Sequence, residues 1–405
     1  MSSQPFKAPH HRKRLPVLIA ARNVKMARSA HAYVRGNTAR FYEWLAGIAP
    51  HSLPEGPPIW ICGDCHVGNL GPVASVKGDV EIEIRDFDQT VIGNPAHDLI
   101  RLGLSLATAA RGSDLPGVTT ARMMECLTQG YIDAFSPQRR QSPLSRPDVV
   151  SLALKESRRR TWRHLAQERV AGSTVKVPLG RRFWAVSRPE RDAVTRLVQS
   201  PEVQSLISQL GHRDDDAPVE LLDVAYWMKG CSSLGRLRYA ALLDVGEGVT
   251  RGRDFCLLDI KEAVDAVAPA SGRADMPRNN AERVLAGARN LAPFLGDRMA
   301  TQTLRKRSVF VRELLPQDLK LEIDRLDAMQ AMRCAYYLAR VAGRAHARQM
   351  DDGMRKRWRA ELMKGRSRAL DAPSWLWSSV VDLVASHERG YLEHCRRHAL
   401  QHAAD

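Results

Sequence analysis

Two stretches decide how this chain reads: Gly63-Asp64-Cys65-His66-Val67-Gly68-Asn69 and, downstream, Asp86-Phe87-Asp88. The first is entered from a short apolar run, Ile59-Trp60-Ile61-Cys62, that has the texture of a strand. Two more strand candidates follow at residues 73–76 and 80–84, separated by the turn Lys77-Gly78-Asp79. The second alternates Val80, Ile82 and Ile84 on one face against Glu81, Glu83 and Arg85 on the other, and ends at Asp86. The pattern therefore puts Asp64 and Asn69 on a loop after a strand, and Asp86 at the end of a hairpin. Gly63 lets the chain bend beside Asp64. Beyond Pro95 a helix is expected, carrying Leu99, Leu102, Leu104, Leu106 and Ala107.

Phosphoryl transfer asks for one carboxylate to orient the attacking hydroxyl, and for an amide and a second carboxylate to hold magnesium against the phosphates. Asp64, Asn69 and Asp86 offer that set in order, with the Asp-x-x-x-x-Asn spacing of catalytic loops. Two other motifs share these residues. Cys62-Gly63-Asp64-Cys65-His66 fits the attachment pattern of c-type haem, which requires export, and no signal peptide is visible. A zinc site from Cys62, Cys65 and His66 lacks a matched second half. Cys62 reads as a buried, inert thiol at a strand end.

Gly-Asp-x-His-x-x-Asn, then Asp-Phe-Asp, then Gly-x-Pro-x-x-Asp-Leu at residues 93–99 resembles the aminoglycoside phosphotransferase and choline kinase branch of the protein-kinase-like fold. Over nearly the whole chain the sequence resembles the bacterial domain of unknown function 2252 family. Its marks are Lys25-Met26 with Tyr33-Val34-Arg35-Gly36, residues 63–71, Asp86-Phe87-Asp88, Asp98-Leu99 with Arg101-Leu102, Gly235 to Tyr239, Lys261-Glu262-Ala263, Glu282-Arg283-Val284 and Ala345-His346-Ala347. The kinase resemblance implies Asp64 as catalytic base, Asn69 and Asp86 as magnesium ligands, and His66 as a brace of the loop. Asp98 would anchor that loop to the following helix, and Asp88 would support the hairpin.

The nucleotide half of such a site lies downstream. Gly230-Cys231-Ser232-Ser233-Leu234-Gly235 is a small-residue turn whose backbone N–H groups suit phosphate oxygens, with Gly230, Ser232, Ser233 and Gly235 as contacts. Lys261 ends the strand Leu257-Leu258-Asp259-Ile260 and is placed to reach the α- and β-phosphates. Glu282, on the next helix, is expected to hold Lys261. Glu262, a strand neighbour, points the opposite way. The strand at residues 308–314 then resembles the one leading to an inter-lobe hinge, with Glu313, Leu314 and residues up to Asp318 near the adenine.

In ordinary kinases these parts precede the catalytic loop, whereas here they follow it. A circular permutation accounts for the order, since termini of compact folds are often close. The helix expected at Tyr336 to His346 would then pack beside a loop at the other end of the chain.

The expected fold is α+β: a two-lobed, protein-kinase-like fold, circularly permuted, with a helix-rich large lobe and a small β-rich lobe. Residues 1–25 form a basic arm with little structure until about Leu15. Residues 26–215 form the helical catalytic lobe with the loop, the hairpin and an Arg-rich helical insertion at 115–215. Residues 216–318 form the nucleotide lobe, and residues 319–405 the closing helices.

The 405 residues suffice for two lobes, and 44% hydrophobic content suffices for their cores. Seven cysteines, an odd number scattered through apolar segments, argue against a disulfide framework and for a cytoplasmic setting. No stretch is apolar enough to span a bilayer. The net charge of +16 favours anionic partners. Together the expectation is an ATP- and Mg2+-dependent phosphotransferase acting on a hydroxyl of a small-molecule acceptor. The alternatives are nucleotidyl transfer on the same scaffold, or an inactive kinase-like regulatory or nucleic-acid-binding protein. Arg-Trp tracts at 158–163 and 355–359 speak for the last.

Overall fold

The computed structural model of the chain describes residues 8–136, 146–160, 176–210, 213–214, 217–246, 255–271, 275–321, 326–364 and 372–398. Among the described residues, ten strands form one large sheet and two small ribbons among helices, in keeping with the α+β class. β1 (Ile59–Ile61) pairs antiparallel with β4 (Val91–Gly93). β2 (Leu70–Ala74) and β3 (Val80–Ile84) make the expected hairpin, which starts at Leu70 because Leu70 pairs with Ile84. Gly78, at φ +88°, turns it.

The two glutamates of β3 differ in burial. Glu81 is exposed, but Glu83 is buried, because residues 293–296 pack over it and Leu295 N–H donates to its carboxylate at 3.4 Å.

The large sheet contains β5 (Phe183–Trp184), β6 (Val219–Trp227), β7 (Arg238–Val245), β8 (Phe255–Glu262), β9 (Met299–Leu304) and β10 (Arg307–Glu313). Their spatial order is β5-β6-β7-β8-β10-β9, every pair antiparallel. Between β8 and β9 runs the helix Asn280–Leu291, whose first turn is capped by the Asn279 side chain. On the outer sheet face, Val194 and Leu197 of Arg188–Val198 and Val203 and Leu206 of Pro201–Ser208 join Leu243, Leu258 and Val311 in one apolar core. The first of these helices opens with a Ser187–Glu190 capping box. The sheet unit thus begins upstream of residue 216, near Phe183. The N-terminal arm becomes the helix Arg14–Ala27, and its Leu18 joins the same core.

The helical part is built around Ala96–Gly112, Gly117–Asp133 and Ala328–Ala347. The last two pack closely because their meeting surfaces are small. A Cβ on Gly130 would come within 2.1 Å of the Tyr336 carbonyl oxygen, and one on Gly343 within 2.9 Å of the Tyr131 carbonyl oxygen. Alanines 331, 335, 339, 342 and 345 are buried in the latter helix. A close helix contact of this kind converts small residues into dense dispersion contact. Residues 26–50 form three helical pieces, because Ser29 and Asn37 each cap a new helix. Within 115–175, helices span Gly117–Asp133 and Asp148–Arg159. Residues 137–145, between these helices, and the tract from Thr161 to Arg163 lie outside the described residues. No described helix is long and apolar enough to cross a membrane.

Arginines join the sheet to the hairpin region. Arg283 donates to the carbonyls of Asp88 at 3.1 Å and Val264 at 2.9 Å, and also to that of Thr90. Arg85 donates to the carbonyls of Asp318 and Leu319, and Arg298 pairs with the Asp318 carboxylate at 2.9 Å.

Candidate functional site

Gly63 bends the loop after β1 with φ +73°, and a Cβ there would lie 2.1 Å from the Gln89 carbonyl oxygen, so glycine alone fits. The Asp98 carboxylate accepts the N–H groups of Cys62 at 2.7 Å and Gly63 at 2.9 Å. His346 Nε2 lies 3.2 Å from the same carboxylate, and its Nδ1 is 2.7 Å from the Tyr131 hydroxyl. Tyr42 donates to the Gly63 carbonyl at 2.6 Å. Asp98 therefore ties the loop to the helix that begins at Ala96, and the helix from 328 to 347 does lie beside that loop.

Asp64 is almost enclosed. Arg101 Nε donates to one carboxylate oxygen at 2.8 Å, and the Thr38 hydroxyl donates to the other at 2.8 Å. Arg101 is itself fully buried and also donates to the Val34 carbonyl at 2.6 Å. A carboxylate offers about four lone-pair directions, so each oxygen keeps one for an incoming hydroxyl. Asn69 is placed by its own side chain, whose amide nitrogen donates to the Asp64 carbonyl at 2.9 Å. Its backbone carbonyl accepts Arg85 N–H at 2.8 Å, which sets Asn69 opposite the residue before Asp86. The His66 carbonyl accepts Asn69 N–H at 2.8 Å. The His66 ring is buried, and burial, then Arg35 and Arg101, hold it well below the ordinary histidine range, in the neutral form.

Asp86 is the open group of the site, with its side chain 42% exposed. Lys261 Nζ is 3.3 Å from Asp86 Oδ1 and 2.7 Å from Asp88 Oδ1. Burial opposes ionisation of Asp86, but Lys261, Arg312 and Arg238 outweigh it and hold the carboxyl well below the usual carboxylate range. Those two arginines come from the strands flanking Lys261 and share the buried Asp259, at 2.5 Å for Arg238 and 2.9 Å for Arg312.

Glu282 does not hold Lys261. It is exposed in the first turn of its helix, where it complements the helix dipole, and Asp88 takes the expected role. Glu262 does point away, toward Arg307 at 2.7 Å and Leu237 N–H at 2.8 Å.

The turn from Gly230 to Gly235 connects β6 to β7, with φ +92° and +103° at its two glycines. Ser232 is half-buried and Ser233 buried, with its hydroxyl donating to the Lys229 carbonyl at 3.3 Å. Lys25 donates to the Gly230 carbonyl at 3.0 Å, and Arg236, just past the turn, reaches Asp88 at 3.3 Å. The turn and the hairpin are thereby brought to one place. At the expected hinge the two residues differ. Leu314 belongs to an apolar cluster with Ala225, Ala240, Leu242 and Leu257, while Glu313 points elsewhere and pairs with buried Arg213 at 2.8 Å. The Glu313 carbonyl accepts Arg298 at 2.9 Å, and Leu314 N–H donates to Leu257 at 2.9 Å, so both backbone groups are already engaged.

Among the described residues no group of three or more His, Cys, Asp or Glu side chains is placed to hold a metal ion alone. Asn69 and Asp86 supply hard oxygen donors. That set suits magnesium, which takes one or two protein ligands and completes its shell with water and phosphate oxygens. Cys62 and Cys65 are free and buried, and their mutual hydrogen bond and burial push the Cys62 thiol well up, which fits an inert thiol.

Three residues of the site were not singled out from sequence for a role: Thr38, Arg101 and Arg283. Arg101 had a signal, since it lies three positions after Asp98 on one helix and so shares its face. Thr38 and Arg283 act across long separations and had none.

No curated protein and no solved structure matches the chain. A family model described as an uncharacterized protein conserved in bacteria, DUF2252, matches residues 14–397. The chain belongs to that family.

Proposed function

We propose that this chain is an ATP- and magnesium-dependent phosphotransferase with a circularly permuted, two-lobed kinase-like fold, acting on a hydroxyl of a small acceptor. The observation that carries the proposal is the Lys261–Asp86–Asp88 cluster, which joins the end of a sheet strand to the end of the hairpin beside Asn69. In kinases a strand lysine serves the phosphates and a hairpin aspartate serves the metal. The chain order of glycine turn, lysine strand, helix and strand pair in this sheet supports the same reading.

In this account Asp86 and Asn69 hold the magnesium, whose chemistry when bound is to neutralise charge on the phosphates. Lys261 contacts the phosphate oxygens and is positioned by Asp88. Asp64 accepts a hydrogen bond from the acceptor hydroxyl on the lone pairs that Thr38 and Arg101 leave open, orienting it for attack. His66, neutral, keeps the loop in shape and carries no proton.

A second reading, a kinase-like scaffold that binds nucleotide without turnover, draws on one observation: both Asp64 oxygens are already engaged, by Arg101 and Thr38. Its nucleic-acid version loses one support, because Trp358 in the basic tract 355–359 is buried and presents no stacking surface. Release of labelled phosphate from γ-labelled ATP separates the two. Slow release that falls at least about 100-fold in Asp64→Asn supports transfer chemistry. Nucleotide binding with no release in either protein supports the scaffold.

A further inference from the structure

We propose a second, non-catalytic anion site on the far side of the hairpin, built to take a phosphate or diphosphate group. A cavity of about 160 Å³ opens between β3, the helix Asp148–Arg159, the end of Asn280–Leu291 and the helix Ala328–Ala347. Four arginines line it: Arg146, Arg158, Arg344 and Arg348. They come from two distant parts of the chain, residues 146–158 and 344–348, so the cluster is a product of the fold and not a solvated face of one helix.

Among the described residues, Arg146, Arg158 and Arg348 form no ion pair. Arg348 is fixed by donating to the Leu291 carbonyl at 2.7 Å, and Arg146 lines the cavity beside Tyr337. A guanidinium held as Arg348 is presents its remaining N–H donors as a fork, the geometry that matches phosphate oxygens. Two carboxylates share the cavity, Glu81 and Glu83. Arg146, Arg158 and Arg348 against two carboxylates leave an excess of positive charge. Burial pushes Glu83 up to about 7, so near neutral pH part of its negative charge is absent, and the positive excess grows as pH falls. A cavity of this size and sign favours a small polyanion. Its floor is the strand that ends at Asp86, so an occupant braces the hairpin from behind.

The proposal does not depend on the nucleotide reading. The test is calorimetric titration of the full chain, with a chelator present and at constant ionic strength, using inorganic phosphate, pyrophosphate and ribose 5-phosphate. Saturable binding is expected for at least one. It should weaken at least tenfold in the double variant Arg146→Ala/Arg158→Ala, whose two side chains are exposed and not needed for folding. The exposed pair Lys356→Ala/Arg357→Ala, on another helix, should leave it unchanged. Tighter binding of ribose 5-phosphate than of pyrophosphate assigns the site to phosphoesters, and the reverse order to inorganic polyanions. Absence of saturable heat overturns the proposal. So does equal weakening in the control pair, which marks general attraction to a basic surface, and so does binding that ignores Arg146 and Arg158, which places the anion in the cleft.

Discussion

Lys261 Nζ lies 2.7 Å from Asp88 Oδ1, joining the last turn of a sheet strand to a hairpin end distant in sequence. Both side chains are largely buried, at 4% and 9% exposure, so the pair is shielded from solvent screening. Such a pair fixes geometry more than it stabilises, since desolvation offsets much of the attraction.

It follows that Asp88, not Glu282, sets the lysine. Asp88→Asn should weaken Mg·ATP binding about tenfold or more, measured by calorimetry. Glu282→Ala should leave nucleotide binding unchanged and cost no more than about 1 kcal/mol of stability, the size of a helix-dipole contribution.

Asp98 carries the loop. Replacing it by Ala strips Cys62 N–H and Gly63 N–H of their acceptor and leaves His346 without its carboxylate. Breaking a buried charged cluster of this kind costs about 3–5 kcal/mol, readable in urea unfolding. A loss under about 1 kcal/mol would show that the loop is held by something else.

Thr38→Val removes one hydrogen bond to Asp64 and nothing near Lys261 or Asp86. The stability loss should be about 1–2 kcal/mol. Mg·ATP affinity should stay at the wild-type value while phosphate release falls, a split that a general folding defect does not produce.

Glu83 makes stability depend on pH. Its folded-state value is raised to about 7 from an ordinary 4.5, so between those values the folded chain binds the extra proton. Stability from this group is full below about 4.5 and is lost as pH rises through about 7. Glu83→Gln should flatten that fall, by on the order of 3 kcal/mol between the two ends. Parallel wild-type and variant stability curves from pH 4.5 to 7.5 would contradict it.

The hairpin, the loop and the Asp98 anchor were legible because each is local: β alternation, a glycine beside an aspartate, and a helix start after Pro95. Lys261 was legible from its strand, but its partner was not. Glu282 and Arg283 are neighbours on one helix, and the sequence does not say which face meets the hairpin; the fold turns Arg283 inward and Glu282 to solvent. Alternation puts Glu81 and Glu83 on one face of β3 but does not say that residues 293–296 cover that face at Glu83 and leave Glu81 exposed. The sheet's true start near Phe183 was missed since a two-residue strand leaves almost no pattern. Glu313 was read as part of the hinge because its strand was correctly placed, yet register turns its side chain toward Arg213.

The central claim is that Asp86 and its surroundings form a nucleotide–metal site. Thermal unfolding of the wild type and of Asp86→Ala, each with and without Mg·ATP, tests it most directly. A ligand bound only to the folded state at 100 times its Kd adds about 2.7 kcal/mol, a shift of several degrees. The account predicts that shift in the wild type and its loss in Asp86→Ala. No shift in the wild type at millimolar Mg·ATP, or an equal shift in both proteins, would contradict it.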